Sequence, residues 1–295
     1  MEKFFVSTDS TADLYKDEVE KLKVFFLPLS VSYTKDDTTE IQPDSFQSYD
    51  EYVEFYNKLR QGYTVKTSMN NNYIHEEYFR NIAKQGVKKL IHFTISSGLA
   101  RTVEVANQAI DEVKKDYPDF ECIVIDPLST TIGQGMLVRI ACEMRDEGKS
   151  LEETAKYCDE IKHHLQHYVL VSNLDYLKAG GRISGIAASI GKIAKLTIMI
   201  DFDKEGKLAI RTKSIGGLKK GISNILKGLA EHKPMPNSRC IVAHTDNVSG
   251  AEFLAKEIEK VSGIVPEIRI IGPTIGAHVG PDAVAYVFLS EDTRK

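Results

Sequence analysis

The chain has 295 residues and a net charge of −4, with 38 Lys and Arg scattered among 42 Asp and Glu. No basic stripe or Lys/Arg run is present to track phosphates, which argues against a nucleic-acid partner. Nowhere do about 18 apolar residues run together, and the apolar start at Phe4-Phe5-Val6 is too short for a secretory core, so a cytoplasmic protein with no membrane insertion is expected.

Phe4-Phe5-Val6 reads as a buried strand that stops at Thr8-Asp9-Ser10-Thr11, where short oxygen-bearing side chains can cap a helix. Phe25 to Tyr33 reads as one further extended stretch. Helical spacing follows at Phe46, Tyr49, Tyr52, Val53, Tyr56 and Leu59, and again from Ile74 to Ala83 before Gly86. Leu90–Ile95 and Cys122–Ile125 are strand patterns with a helix, about Thr102 to Asp116, between them. Ser150 and Glu153 form a capping-box pattern for a helix running towards residue 167. Alternation of strand and helix predicts a wound α/β domain over residues 1–167.

The second half, residues 168–295, has a different rhythm. Leu196–Phe202 and Lys207–Thr212 flank Asp203-Lys204-Glu205-Gly206, a hairpin signal. Helical stretches near 217–231 and 249–262 interleave with strands near 239–245, 265–271 and 283–289, which predicts an α+β domain whose sheet is mixed or antiparallel with helices on one face. The fold class is therefore α/β plus α+β. Cys122, Cys142, Cys158 and Cys240 occur singly, without C-x-x-C spacing, and read as reduced structural thiols.

Several clusters could carry chemistry. Gly272 to Pro281 sets His278 among three glycines and two prolines, a loop in which backbone could approach a ligand beside a titratable ring. Ser96, Ser97 and Gly98 follow a strand and precede a helix, where hydroxyls and N–H groups can receive an anion or simply cap the helix. Lys66-Thr67-Ser68 is a smaller polar cluster of the same kind. After Gly180-Gly181-Arg182, the residues Ile183, Ile186, Ile190, Ile193 and Leu196 share a helical face beside Ala187, Ala188, Gly191 and Ala194. That pattern suits a hydrophobic tunnel or close helix-to-sheet packing.

Other signals fail on inspection. His163 and His167 stand at i and i+4 without a further ligand at motif spacing, so a solvated helix end is the expectation and no metal is assigned. His244 reads as a strand-end histidine. His75-Glu76 lacks the second histidine of H-E-x-x-H, and no G-x-S-x-G, P-loop or G-x-G-x-x-G motif occurs, so no cofactor is expected.

Seven motifs in series, Thr8-Asp9-Ser10-Thr11, Leu27-Pro28-Leu29-Ser30-Val31, Lys66-Thr67-Ser68, Ser96-Ser97-Gly98-Leu99, Leu177 to Ser184, Arg211-Thr212-Lys213 and Gly272 to Pro281, resemble the DegV family over nearly the whole chain. The resemblance implies a two-domain DegV-like fold and a non-catalytic subunit that binds a long-chain fatty acid. Such a subunit presents the acyl carboxylate to a separate fatty-acid kinase, which makes the acyl phosphate. It also implies that Thr67 supplies a hydroxyl, that His278 lies beside the head group and that Arg182 faces the kinase. With these, Ser68, Ser96 and Ser97 are expected at the head group, and Ile186, Ile190 and Ile193 along the acyl tunnel.

The chain departs from the family pattern at Ala100, where a serine is usual, at Met69-Asn70, where Gln-Pro is common, and at Asp282, where glycine is usual. Arg101 and Asp282 bring opposite charges to segments expected to converge. Two arrangements are open: an Arg101–Asp282 pair, or Arg101 gripping the carboxylate in place of the lost serine. A competing class is an enzyme acting on a lipid or carbonyl compound, with His278 as base and Ser97 or Thr67 as nucleophile, which would need a carboxylate such as Asp282 to orient the ring. A lipid sensor with a non-kinase partner is the third reading.

Overall fold

The computed structural model describes residues 3–45, 48–181 and 196–294. Arg182, Ile186, Ile190 and Ile193 lie outside the described residues.

Chain order in the first half is β1 (Phe5–Asp9), α1 (Lys16–Leu22), β2 (Val24–Leu27), β3 (Ser30–Lys35), β4 (Thr38–Pro43), α2 (Tyr49–Arg60), β5 (Thr64–Ser68), α3 (Asn72–Lys84), β6 (Lys89–Phe93), α4 (Thr102–Asp116), β7 (Glu121–Ile125), α5 (Thr131–Asp146) and α6 (Leu151–Ile161). Strands β2-β1-β6-β7 form a parallel sheet, as the alternating pattern requires. The predicted capping box is present: Glu153 N–H donates to Ser150 Oγ at 3.1 Å and Ser150 N–H to Glu153 Oε2 at 2.9 Å.

One expectation is corrected here. The stretch from Phe25 to Tyr33 is two strands, not one, because Pro28 has no N–H to continue a ladder. The chain leaves the parallel sheet after Leu27 and enters a separate antiparallel sheet, β4-β3-β5, at Ser30.

The second half runs β8 (Leu165–Val171), α7 (Asp175–Ala179), β9 (Leu196–Phe202), β10 (Leu208–Ile215), α8 (Gly217–Glu231), β11 (Cys240–His244), α9 (Val248–Ser262), β12 (Glu267–Ile270), α10 (Pro273–Val279) and β13 (Val284–Leu289). Residue 167 falls inside β8. The six strands are ordered β10-β9-β8-β13-β11-β12, antiparallel except for the β11–β12 pair.

Side chains alternate across this sheet. Tyr168, Leu170, Met199, Val242, Tyr286 and Phe288 pack under α8 and α9 with Ile222, Ile225, Leu254 and Ile258. The opposite face contributes Ile241, Ala243, Ala285 and Val287 to a core shared with Val6, Ile91 and Phe93 of the parallel sheet and with Met136 and Leu137 of α5. Both halves thus close on one another through α5. All four cysteines are buried and unpaired.

The segment Gly272–Pro281 is not a loop. Residues Pro273–Val279 form α10, with proline at the first helical position, where its fixed φ is pre-organised and its missing N–H is not needed.

Candidate ligand-binding cavity

Between the open face of the six-stranded sheet and the carboxyl ends of the parallel strands lies a cavity of about 1030 Å³, its mouth included. One wall is the sheet face: Val169 and Val171 of β8, Ile200 and Phe202 of β9, Ala285 and Val287 of β13. Opposite stand Ile95, Leu99 and Ala100 after β6 and Thr130 and Thr131 at the start of α5, the region beyond strand ends where wound sheets bind ligands. Ile275, His278 and Val279 of α10 complete the enclosure.

Polar groups are few. Thr67 Oγ1 and His278 Nε2 are 2.8 Å apart. Both residues line the cavity and also an outer groove walled by Tyr63, Asn173 and Tyr176, so the pair stands where apolar interior meets the surface. Gly180 packs against the imidazole so closely that a Cβ there would lie 2.0 Å from Nδ1. Gly180 therefore brings the chain against His278 with no room for a side chain at that position.

The remaining predicted head-group residues are placed differently. Ser68 follows Thr67 on β5, so the period of two that turns Thr67 inward turns Ser68 out to solvent. Ser96 is buried, but its hydroxyl donates to the Gly206 carbonyl at 2.8 Å and accepts from Gly98 N–H at 3.1 Å, tying the loop to the β9–β10 turn. Ser97 is exposed, its N–H directed to Asp126. Arg101 is exposed at the N-cap of α4 and is held by Glu104, Nε to Oε2 at 2.9 Å. The expected Arg101–Asp282 pair is not formed: Asp282 accepts from Arg60 at 2.8 Å instead. A side chain three residues away on its own helix captures Arg101 before any distant partner can.

His167 was missed as a site residue. It is not on a solvated helix end but on β8, 1% exposed and facing the cavity, where Nε2 meets Ser129 Oγ at 2.8 Å. The alternation Leu165, His167, Val169, Val171 is the signal that could have found it. Burial drives its pKa well below the usual histidine value, so the ring is neutral at pH 7. His244 is a strand-end histidine whose Nδ1 accepts from Asn247 N–H at 3.2 Å.

Beneath the cavity, Asp9 accepts from Thr94 Oγ1 (2.7 Å), Ile95 N–H (3.2 Å), Gln134 Nε2 (2.9 Å) and Thr11 N–H (3.0 Å). One carboxylate so braces the ends of β1 and β6 and the first turn of α5. Among the described residues, no group of three His, Cys, Asp or Glu is arranged to hold a metal ion, and no helix is long and apolar enough to cross a membrane.

A wound α/β half and a mixed-sheet half enclose an apolar cavity with a hydroxyl–imidazole pair near its mouth. The model of the DegV family, described as uncharacterised proteins, matches residues 3–291. A DegV domain-containing protein of Clostridium perfringens is 36% identical over 300 residues, covering 99% of each chain. The chain belongs to the DegV family. A solved DegV lipid binding protein of Thermotoga maritima is 28% identical with a TM-score of 0.84, covering 100% of both chains. A second protein of that organism, whose structure is described as revealing a fatty acid binding function, is 28% identical with a TM-score of 0.83, covering 98% of this chain and 100% of its own.

Proposed function

We propose that this protein binds a long-chain fatty acid, tail in the cavity and carboxylate at Thr67 and His278, and presents it to a separate kinase. The observation that carries the reading is the cavity itself: almost wholly apolar walls, with the Thr67–His278 pair where it opens to the outer groove. About 14 methylenes at roughly 0.8 kcal/mol each give on the order of 11 kcal/mol of gross burial before ordering costs, so the tail supplies the affinity. The carboxylate belongs at the mouth because an unpaired buried anion is costly and because a kinase must reach it. There a carboxylate oxygen would attack the terminal phosphoryl group of ATP on the partner, giving an acyl phosphate and ADP. Arg182, directly after Gly180-Gly181, is assigned to that partner's surface. The enzyme reading is disfavoured because Asp282, the carboxylate it requires beside His278, is engaged by Arg60.

Mass spectrometry of lipid extracted from freshly purified protein is expected to show free long-chain fatty acid at about one per chain. Thr67→Val should weaken rebinding about tenfold or more, the usual worth of a hydrogen bond to a charged group. Arg182→Ala should retain lipid and lose acyl-phosphate formation with the cognate kinase. Lipid-free protein with no affinity for any long-chain acid would overturn the proposal, and turnover of acyl esters without kinase would favour the enzyme.

A further inference from the structure

Thr130, Thr131 and His167 belong to one stretch of the cavity wall, and the backbone behind it is under strain. In the loop from β7 to α5, Leu128 and the first helical residue Thr131 both have φ of 49°, a left-handed conformation costly for any side chain and most of all for a β-branched one. Such backbone persists only where its surroundings over-determine it. Here the Ser129 carbonyl accepts from Ser96 N–H at 2.9 Å, and Ser129 Oγ stands 2.8 Å from His167 Nε2. The Leu128 carbonyl accepts from Arg294 Nη1 at 2.8 Å, so the strained residue itself is gripped from the segment after β13.

Arg294 holds a second segment at the same time. Its Nη2 donates to the Lys162 carbonyl at 2.9 Å, and its backbone N–H donates to the His163 carbonyl at 2.8 Å. Lys162 and His163 lie just before β8, the strand that carries His167. One guanidinium, on a residue 8% exposed, therefore ties the loop before α5 to the turn before β8. Those are the segments that Ser129 and His167 join on the cavity side. The planar fork of an arginine suits two carbonyls at a fixed separation, which a lysine cannot span.

The wall so held lies away from the head-group pair. At one end of β8, the His167 ring stands 4.8 Å from that of Phe202 by centroids. Four residues further, Val171 packs with Leu174, Leu177 and Val279, the neighbour of His278. At about 3.3 Å per residue the two ends of the strand are roughly 13 Å apart.

We propose that Arg294 is a positioning residue for the far wall of the cavity, and that it sets how tightly the protein grips the distal part of a long acyl chain. This inference rests on the fatty-acid reading above and adds to it a determinant of chain-length preference that does not touch the ligand.

The test uses the full chain, stripped of lipid and titrated calorimetrically with saturated acids from decanoate to stearate. Arg294→Met keeps an unbranched stem and removes the fork. It should weaken stearate about tenfold or more, the usual worth of hydrogen bonds to a charged group, and leave the shortest acid that binds the parent within about twofold. Arg294→Lys, able to reach one carbonyl at a time, should fall between. Phe288→Ala, which loosens the opposite face of the sheet, should leave the ratio of long-chain to short-chain affinity unchanged. Equal weakening of all the acids by Arg294→Met, or unchanged stearate affinity, would reduce Arg294 to a structural contact and overturn the proposal while the fatty-acid reading stands. If Arg294→Met fails to fold, Arg294→Lys carries the same comparison. Failure of the parent chain to bind any of these acids would instead sink the fatty-acid reading itself.

Discussion

The two faces of the six-stranded sheet are made by the same strands, residue by residue, yet one is solid and the other hollow. Along β13, Val284, Tyr286 and Phe288 turn towards α8 and α9, while Ala285 and Val287 turn towards the cavity. Along β8, Tyr168 and Leu170 face the helices, and His167, Val169 and Val171 face the cavity. On β8 and β13, aromatic rings fill the space between sheet and helices on the first face, while Val169, Val171, Ala285 and Val287 leave it unfilled on the second. Strand alternation thus writes a folding core and a cavity wall into adjacent positions of one sequence.

The largest effects should come from exchanging these two characters. Phe288→Ala opens a hole in the packed face and is expected to cost about 3–5 kcal/mol in urea denaturation while leaving the fatty-acid stoichiometry of the surviving folded protein intact. Ala285→Phe, one register away in effect and opposite in direction, should abolish bound lipid in extracted samples. It should cost about 1–3 kcal/mol, less than Phe288→Ala, because the ring enters the cavity while crowding the shared core beside Ala285 only in part. Equal stability losses for the two, or retained lipid in Ala285→Phe, would break the contrast between the faces.

A second contrast concerns how the buried titratable groups respond to pH. In the first half, His75 and His92 are buried against Phe79 and Tyr78, with Ser7 Oγ 2.7 Å from His92 Nδ1. Burial pushes His75 down to about 4 and His92 well below 6.5. A histidine whose folded pKa is depressed contributes stability that is full above about pH 6.5 and is lost as pH falls towards 4. His75→Leu should therefore flatten the acid limb of the stability profile by on the order of 3 kcal/mol across that window. Beneath α10 the sign reverses. Burial, with the charge of Asp44 adding to it, raises Asp13 to about 8, and burial, with the charge of Asp9, raises Asp44 to about 6. Their contribution is full below about pH 3.8 and is lost as pH rises through 6 and then 8. Asp13→Asn should raise stability at pH 9 relative to pH 5, and an unchanged alkaline limb would show that Asp13 stays neutral through other means.

Elements with local signatures were legible in the sequence. The capping box at Ser150, the hairpin around Asp203–Gly206 and the periodic stretch at 217–231 each specify their structure within a few residues, and each is observed. What was not legible depends on partners far along the chain. Helix α5 opens Thr131-Ile132-Gly133-Gln134-Gly135, with two glycines that weaken a helical pattern; a Cβ at Gly133 would sit 2.2 Å from His167 Nε2, so that glycine serves helix-to-strand contact. The same distance in sequence hid His167, since only the fold brings β8 against Ser129. Of the site, Thr67 and His278 could be named from their motifs, and the structure brings them to hydrogen-bond distance. The described cavity wall comes instead from alternating residues of β8, β9 and β13, and on β8 and β13 their meaning appears only when their aromatic neighbours are seen to face the other way.

The smallest effect is expected at the departure that drew most notice in the sequence. Asp282 has φ of 71°, a left-handed conformation that suits glycine and costs other residues roughly 1–2 kcal/mol, less for aspartate. Its exposed carboxylate gains an ion pair with Arg60, worth about 0.2–1 kcal/mol in solvent. Asp282→Gly relieves the first and forfeits the second, so net stability should stay within about 0.5 kcal/mol of the parent. Arg60 also reaches Asp246, 17% exposed, so Arg60→Ala should cost more than Asp282→Gly and should be non-additive with it. Arg101, held by Glu104, should be additive with Asp282 in a double-mutant cycle read by thermal or urea denaturation. A coupling above about 0.5 kcal/mol between Arg101 and Asp282 would mean that the two segments meet in solution, and would return Arg101 to the head-group site.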